Sequence, residues 1–90
     1  EDWLGIGIGR ELCAKYLEQR RTPNRRYDAE VVAWVHGFLS GHNYYYPNPQ
    51  IKKPLDGITA LAYLDKYCRD TPLGSLGGGA VELMKVYEKL

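Results

Sequence analysis

Two cysteines, Cys13 and Cys68, each fall on the apolar stripe of a helix-patterned segment, and no other feature constrains the fold as strongly. Cys13, Tyr16 and Leu17 stand at i, i+3 and i+4, with Glu11, Lys15, Glu18 and Gln19 on other faces. Ile58, Leu61, Leu64 and Cys68 recur at the same spacing further on. Both thiols therefore point toward a core, on either side of the apolar and aromatic run from Trp34 to Tyr46. An even cysteine count in a short chain suits a disulfide formed in an oxidising compartment, with a buried pair of free thiols as the alternative. If formed, the bond closes a loop of about 55 residues, which the chain-entropy model values at about 4 kcal/mol before strain.

The run from Trp34 to Tyr46 reads as the central helix of a small bundle. Asp28 is a plausible N-cap and Glu30 complements the positive helix end, so this helix is expected from about Ala29 to Tyr45, before Pro47. Val31, Trp34, Val35, Phe38, Leu39 and Tyr45 recur at helical spacing. Ala33, Gly37 and Gly41 form a small-residue stripe at i, i+4 and i+8. Glycine costs about 1 kcal/mol in a helix interior relative to alanine, so the stripe is expected to be a helix-packing surface that seats the first and third helices.

Connections separate the helical stretches. Pro23 interrupts Arg20-Arg-Thr-Pro-Asn-Arg-Arg26, which reads as a solvated basic loop, with the docking of an acidic protein partner as the alternative. Tyr44-Tyr-Tyr-Pro-Asn-Pro-Gln-Ile-Lys-Lys-Pro54 is a proline-bounded loop whose three tyrosines cannot all face inward. Asp56 reads as the N-cap of the third helix, and Thr71-Pro72 as its end. In the last segment Leu76, Ala80, Leu83, Tyr87 and Leu90 share a face, but Gly77-Gly-Gly79 weakens the first turns and places a firm helix only from about Gly79 or Ala80. Residues 1–9, with Trp3-Leu-Gly-Ile-Gly-Ile-Gly9, read as a flexible or capping opening segment. The Gly-x-Gly-x-Gly spacing lacks the strand and acidic ribose contact of a dinucleotide loop. No strand-period segment occurs, so residues 1–90 read as one all-α domain.

Charge and composition exclude several functions. Twelve Lys and Arg against 11 Asp and Glu leave a net charge of +1, which gives no global field toward nucleic acid, and the arginines are not interleaved with stacking aromatics. No run of about 18 apolar residues exists to insert in a membrane. His36 and His42, at i, i+6, stand about 240° apart around a helix and share no face, so no metal is expected, and no cofactor. His36 and Ser40 are at i, i+4, but no orienting third group or oxyanion site can be named, so catalysis is not expected.

Cys13-Ala-Lys-Tyr-Leu17, Trp34-Val-His-Gly-Phe-Leu-Ser-Gly41, and Leu64-Asp-Lys-Tyr-Cys68 followed by Asp70-Thr-Pro-Leu73 together resemble the HdeA/HdeB-like family of small exported bacterial proteins, over about residues 10–76. The resemblance is to relatives with a Trp-x-x-Gly-Phe-Leu-Ser-Gly signature. It implies a compact four-helix domain stapled by one disulfide between Cys13 and Cys68, a periplasmic or secreted location after removal of a signal peptide, and a possible homodimer. The chain begins with Glu1 and carries no basic segment followed by an apolar one, so a signal peptide is expected to be absent or already removed. The family's acid-stress chaperones imply a protein that opens on acidification and holds unfolded clients, here through Trp34, Phe38 and Leu39. Similar patterning in the Tai-type periplasmic immunity proteins of type VI secretion implies the alternative, a folded binder of a specific envelope partner using Tyr44, Tyr45 and Tyr46 in the tyrosine-rich loop.

Overall fold

The computed structural model describes residues 3–48 and 50–90. A short 3-10 turn, Gly7–Arg10, leads into α1 (Cys13–Arg20), α2 (Arg25–Tyr45), α3 (Gly57–Asp70) and α4 (Leu76–Glu88). Among the described residues there is no strand. A lone antiparallel bridge pairs Leu12 with Ser75, fastened by Cys13 N–H to the Gly74 carbonyl and Leu76 N–H to the Glu11 carbonyl, both 2.9 Å. This bridge sets the starts of α1 and α4 side by side.

Cys13 and Cys68 are joined by a disulfide, with their Cα atoms 5.0 Å apart and both side chains fully buried. The bond fastens the first turn of α1 to the last turns of α3. Tyr16, Val31, Val35, Leu39, Leu64, Leu76, Leu83 and Tyr87 complete the core around it. No polar or charged side chain is buried among the described residues.

Four expectations about the helices are corrected. First, α2 starts at Arg25, because the Asn24 side chain caps it, accepting from Tyr27 N–H at 3.1 Å, while the Asp28 carboxylate is engaged by Arg20. Secondly, α4 is helical from Leu76: the Ser75 hydroxyl accepts from Gly78 N–H at 3.2 Å, and Leu64 and Tyr67 of α3 pack against its glycine turn. A Cβ on Gly79 would lie 2.7 Å from Leu64 Cδ2. Gly78 and Gly79 are a close-approach surface for α3, and Gly77 one for the opening segment at Trp3 and Gly9, which offsets their poor helix propensity.

Thirdly, the stripe of Ala33, Gly37 and Gly41 seats no helix. Ala33 and Gly37 are exposed, and a Cβ at Gly37 or Gly41 would meet nothing within 4 Å. The buried stripe of α2 is Val31, Val35 and Leu39, and a step of two residues turns the helix by about 200°, so Ala33, Gly37 and Gly41 lie almost opposite it. Fourthly, Ile58 and Leu90, expected on buried faces, are 83% and 66% exposed. Asp56 does cap α3, accepting from Thr59 N–H at 2.7 Å, and α3 ends at Asp70 before Thr71-Pro72.

The opening segment lies against α2 and α4. Gly7 takes φ +82°, a left-handed conformation that suits glycine, and Gly9 is buried flat beneath the indole of Trp34. The Trp34 Nε1–H donates to the Ile6 carbonyl at 2.6 Å.

Candidate functional site

The antiparallel course of α1 and α3 follows from where the disulfide sits, at the start of one helix and near the end of the other. Three residues along α1 from Cys13 is Tyr16, and three back along α3 from Cys68 is Asp65. Helical spacing therefore brings the phenol and the carboxylate to the same seam. Tyr16 donates to Asp65 Oδ1 at 2.7 Å. One turn further, Arg20 grips Asp65 with both arms of its guanidinium, Nε to Oδ1 at 3.0 Å and Nη2 to Oδ2 at 3.1 Å, and places Nη1 on Asp28 Oδ2 of α2 at 3.0 Å. The Arg20 and Asp65 side chains are 27% and 22% exposed, so water screens this node only in part.

Burial acts to raise the Asp65 carboxyl. Hydrogen bonds from Arg20 and Tyr16 and the positive charges of Arg20 and Arg69 outweigh it, and the group is held below the usual carboxylate range. Burial, followed by the neighbouring Asp65, pushes the Tyr16 phenol far above its ordinary value. The node went unrecognised in the sequence, where Arg20 read as part of a solvated loop. The signal that could have found it was the register that a Cys13–Cys68 bond imposes.

Two further contacts between elements end on carboxylates. Tyr27 of α2 donates to Glu11 Oε2 at 3.2 Å, and burial followed by Glu11 raises the Tyr27 phenol. His42 near the end of α2 places Nε2 3.0 Å from Glu88 Oε2 near the end of α4, with the imidazole against the Tyr46 ring at 5.3 Å. The His42–Glu88 approach has ion-pair distance without good hydrogen-bond direction. His36 lies elsewhere, its Nε2 2.7 Å from the Leu55 carbonyl. Among the described residues no three metal-binding side chains gather.

The residues expected to meet clients divide into two groups. Trp34 and Phe38 stack at 5.4 Å with planes 13° apart, Trp3 packs on Phe38 at 5.7 Å, and Leu39 is buried behind them. Trp34 and Phe38 are half-buried, and the opening segment covers them in part. Tyr44, Tyr45 and Tyr46 are 79%, 76% and 63% exposed, with Tyr44 and Tyr45 edge to face at 5.0 Å. The loop after them is fastened to α2: the Asn43 side-chain amide donates to the Ile51 carbonyl at 2.9 Å and accepts from Ile51 N–H at 2.8 Å. The tyrosines thus form a surface apart from the Trp34 face at the C-terminal end of α2, with Tyr44 and Tyr45 in its last turn rather than in the loop expected and Tyr46 capping it, beside a loop held at two points by Asn43 and His36.

No family model, curated protein or solved structure gives a significant match to the chain. No helix among the described residues is long and apolar enough to cross a membrane.

Proposed function

We propose that the protein is an acid-responsive chaperone of an oxidising, extracytoplasmic compartment, folded at neutral pH and opened by strong acid to hold unfolded clients, as the HdeA/HdeB-like resemblance implies. The observation that carries this reading is the chemistry of the seams. Asp65 and Asp28 join α1, α2 and α3 through Arg20 and Tyr16, Glu11 receives Tyr27, and Glu88 faces His42, while the core itself holds no charge. Strong acid neutralises every one of these carboxylates and drives the side-chain charge from +1 to about +14. Self-repulsion then opposes the compact form. The Cys13–Cys68 bond survives acid and keeps α1 tethered to α3, while displacement of the opening segment uncovers Trp34 and Phe38 and loosening of the core uncovers Leu39. Light scattering of an acid-unfolding client at about pH 2–3 tests this: the protein is expected to suppress aggregation, and equal scattering with and without it removes the chaperone reading.

A second reading, a folded binder of one envelope partner, is favoured by the exposure of Tyr44, Tyr45 and Tyr46 at the end of α2, beside a fastened loop. Tyrosine supplies contact area at low entropic cost and is enriched in interfaces. Retention of a stoichiometric partner from a periplasmic extract at neutral pH, weakened by Tyr45→Ala or Tyr46→Ala, distinguishes this reading from the first.

A further inference from the structure

An apolar groove runs along α1, away from the residues invoked so far. Leu12, Ala14, Leu17 and Pro72 form its apolar lining, and Lys15, Glu18 and Arg21 its polar rim, around a cavity of about 670 Å³. Leu12 is 63% exposed, and Leu73, next in the chain to Pro72, is 97% exposed. This is apolar surface on a folded protein, presented with no acid opening. The volume matches what small ligands or a few side chains fill rather than a whole protein face.

The rim decides what fits. The sequence offers four arginines around the α1–α2 connection, but Arg20 is taken up by Asp65 and Asp28. Lys15 and Arg21 on the groove are exposed and have no carboxylate partner among the described residues. Against them the groove sets Glu18. Positive charge therefore exceeds negative beside an apolar floor, and such an edge selects an occupant with the opposite charge.

We propose that this groove docks an acidic amphipathic helix of a partner protein at neutral pH, its apolar side chains on Leu12, Leu17 and Pro72 and its carboxylates on Lys15 and Arg21. The docking mode is that of an amphipathic helix laid in a groove, with apolar anchors at helical spacing. It uses neither the Trp34 face nor the tyrosines, and it stands whether or not the protein holds clients in acid.

The test titrates two synthetic peptides of about a dozen residues against the isotope-labelled full chain at about pH 7 and low salt. Both peptides carry leucines at i, i+3 and i+4, with glutamates at the other positions in one and lysines in the other. The acidic peptide is expected to bind, to shift the amide signals of Ala14, Leu17 and Arg21, and to weaken as salt is added. The double variant Lys15→Glu, Arg21→Glu should lower its affinity roughly fivefold or more, and Glu18→Lys should raise it about threefold. These positions are exposed and outside the core, and an unchanged helical dichroism spectrum confirms the fold of each variant. Equal binding of the lysine peptide, shifts gathered on Tyr44–Tyr46, or no binding overturns the proposal. So does a sedimenting dimer that the same charge reversals dissociate, because the occupant is then a second copy of the chain.

Discussion

Asp65 receives three hydrogen bonds from two side chains of α1, and through Arg20 it is linked to Asp28 of α2. Replacing it with asparagine keeps the shape but removes the charge that Arg20 grips, and a lost hydrogen bond to a charged group costs about 2 kcal/mol. Asp65→Asn is therefore expected to lower the unfolding free energy by about 2 kcal/mol at neutral pH, measured by urea titration. The pH dependence has a definite sign. The folded carboxyl titrates below its unfolded value, so its stabilisation is complete above the ordinary aspartate value of about 3.9 and is lost as pH falls through the lower, folded value. The difference between wild type and Asp65→Asn should accordingly be constant from neutral pH down to about 4 and shrink below it. A constant difference down to pH 2 would show that the carboxylate charge is not what holds this seam.

Glycines on two elements make opposite predictions for the same change. At Gly37 the backbone is helical and a Cβ would meet open space, so Gly37→Ala should stabilise α2 by about 0.5–1 kcal/mol through lower entropy of the unfolded chain. At Gly9 a Cβ would overlap the Trp34 indole, a rigid ring with no free end to swing aside. Gly9→Ala should cost about 1–3 kcal/mol and lift the opening segment, seen as a red shift of tryptophan emission along with a lower urea midpoint. Much of the element plan could be read in the chain: Asp56 before α3, Thr71-Pro72 after it, and both cysteines on inward stripes. The start of α2 could not, because Asn24 and Asp28 are both good caps and the choice between them is made by Arg20, which arrives from another helix. Which face of α2 carried the glycines was legible in principle, since Val31, Val35 and Leu39 already define the opposite one. The firm start of α4 was not legible at its glycine run, because propensity measures an isolated helix, whereas Leu64 and Tyr67 fill the space beside Gly78 and Gly79, and Trp3 and Gly9 that beside Gly77.

At the scale of the whole molecule, the disulfide decides what acid can and cannot do. The folded chain has a Cα radius of gyration of 12.6 Å, and a fully unfolded chain of this length would reach about 30 Å. The Cys13–Cys68 link spans 55 residues of the 90, so most of the chain stays inside a closed loop even after every carboxylate seam is neutralised. Double replacement of both cysteines with alanine is expected to remove up to about 4 kcal/mol of stability at neutral pH. Its larger consequence falls in acid. Small-angle scattering at about pH 2 should give the oxidised protein a radius well short of the unfolded value and the double variant one close to it. The proposed client-holding form is the former, in which apolar stripes are uncovered while α1 and α3 remain near one another. If the two proteins expand equally, tethering does not shape the acid form, and the disulfide's contribution lies in the neutral fold alone.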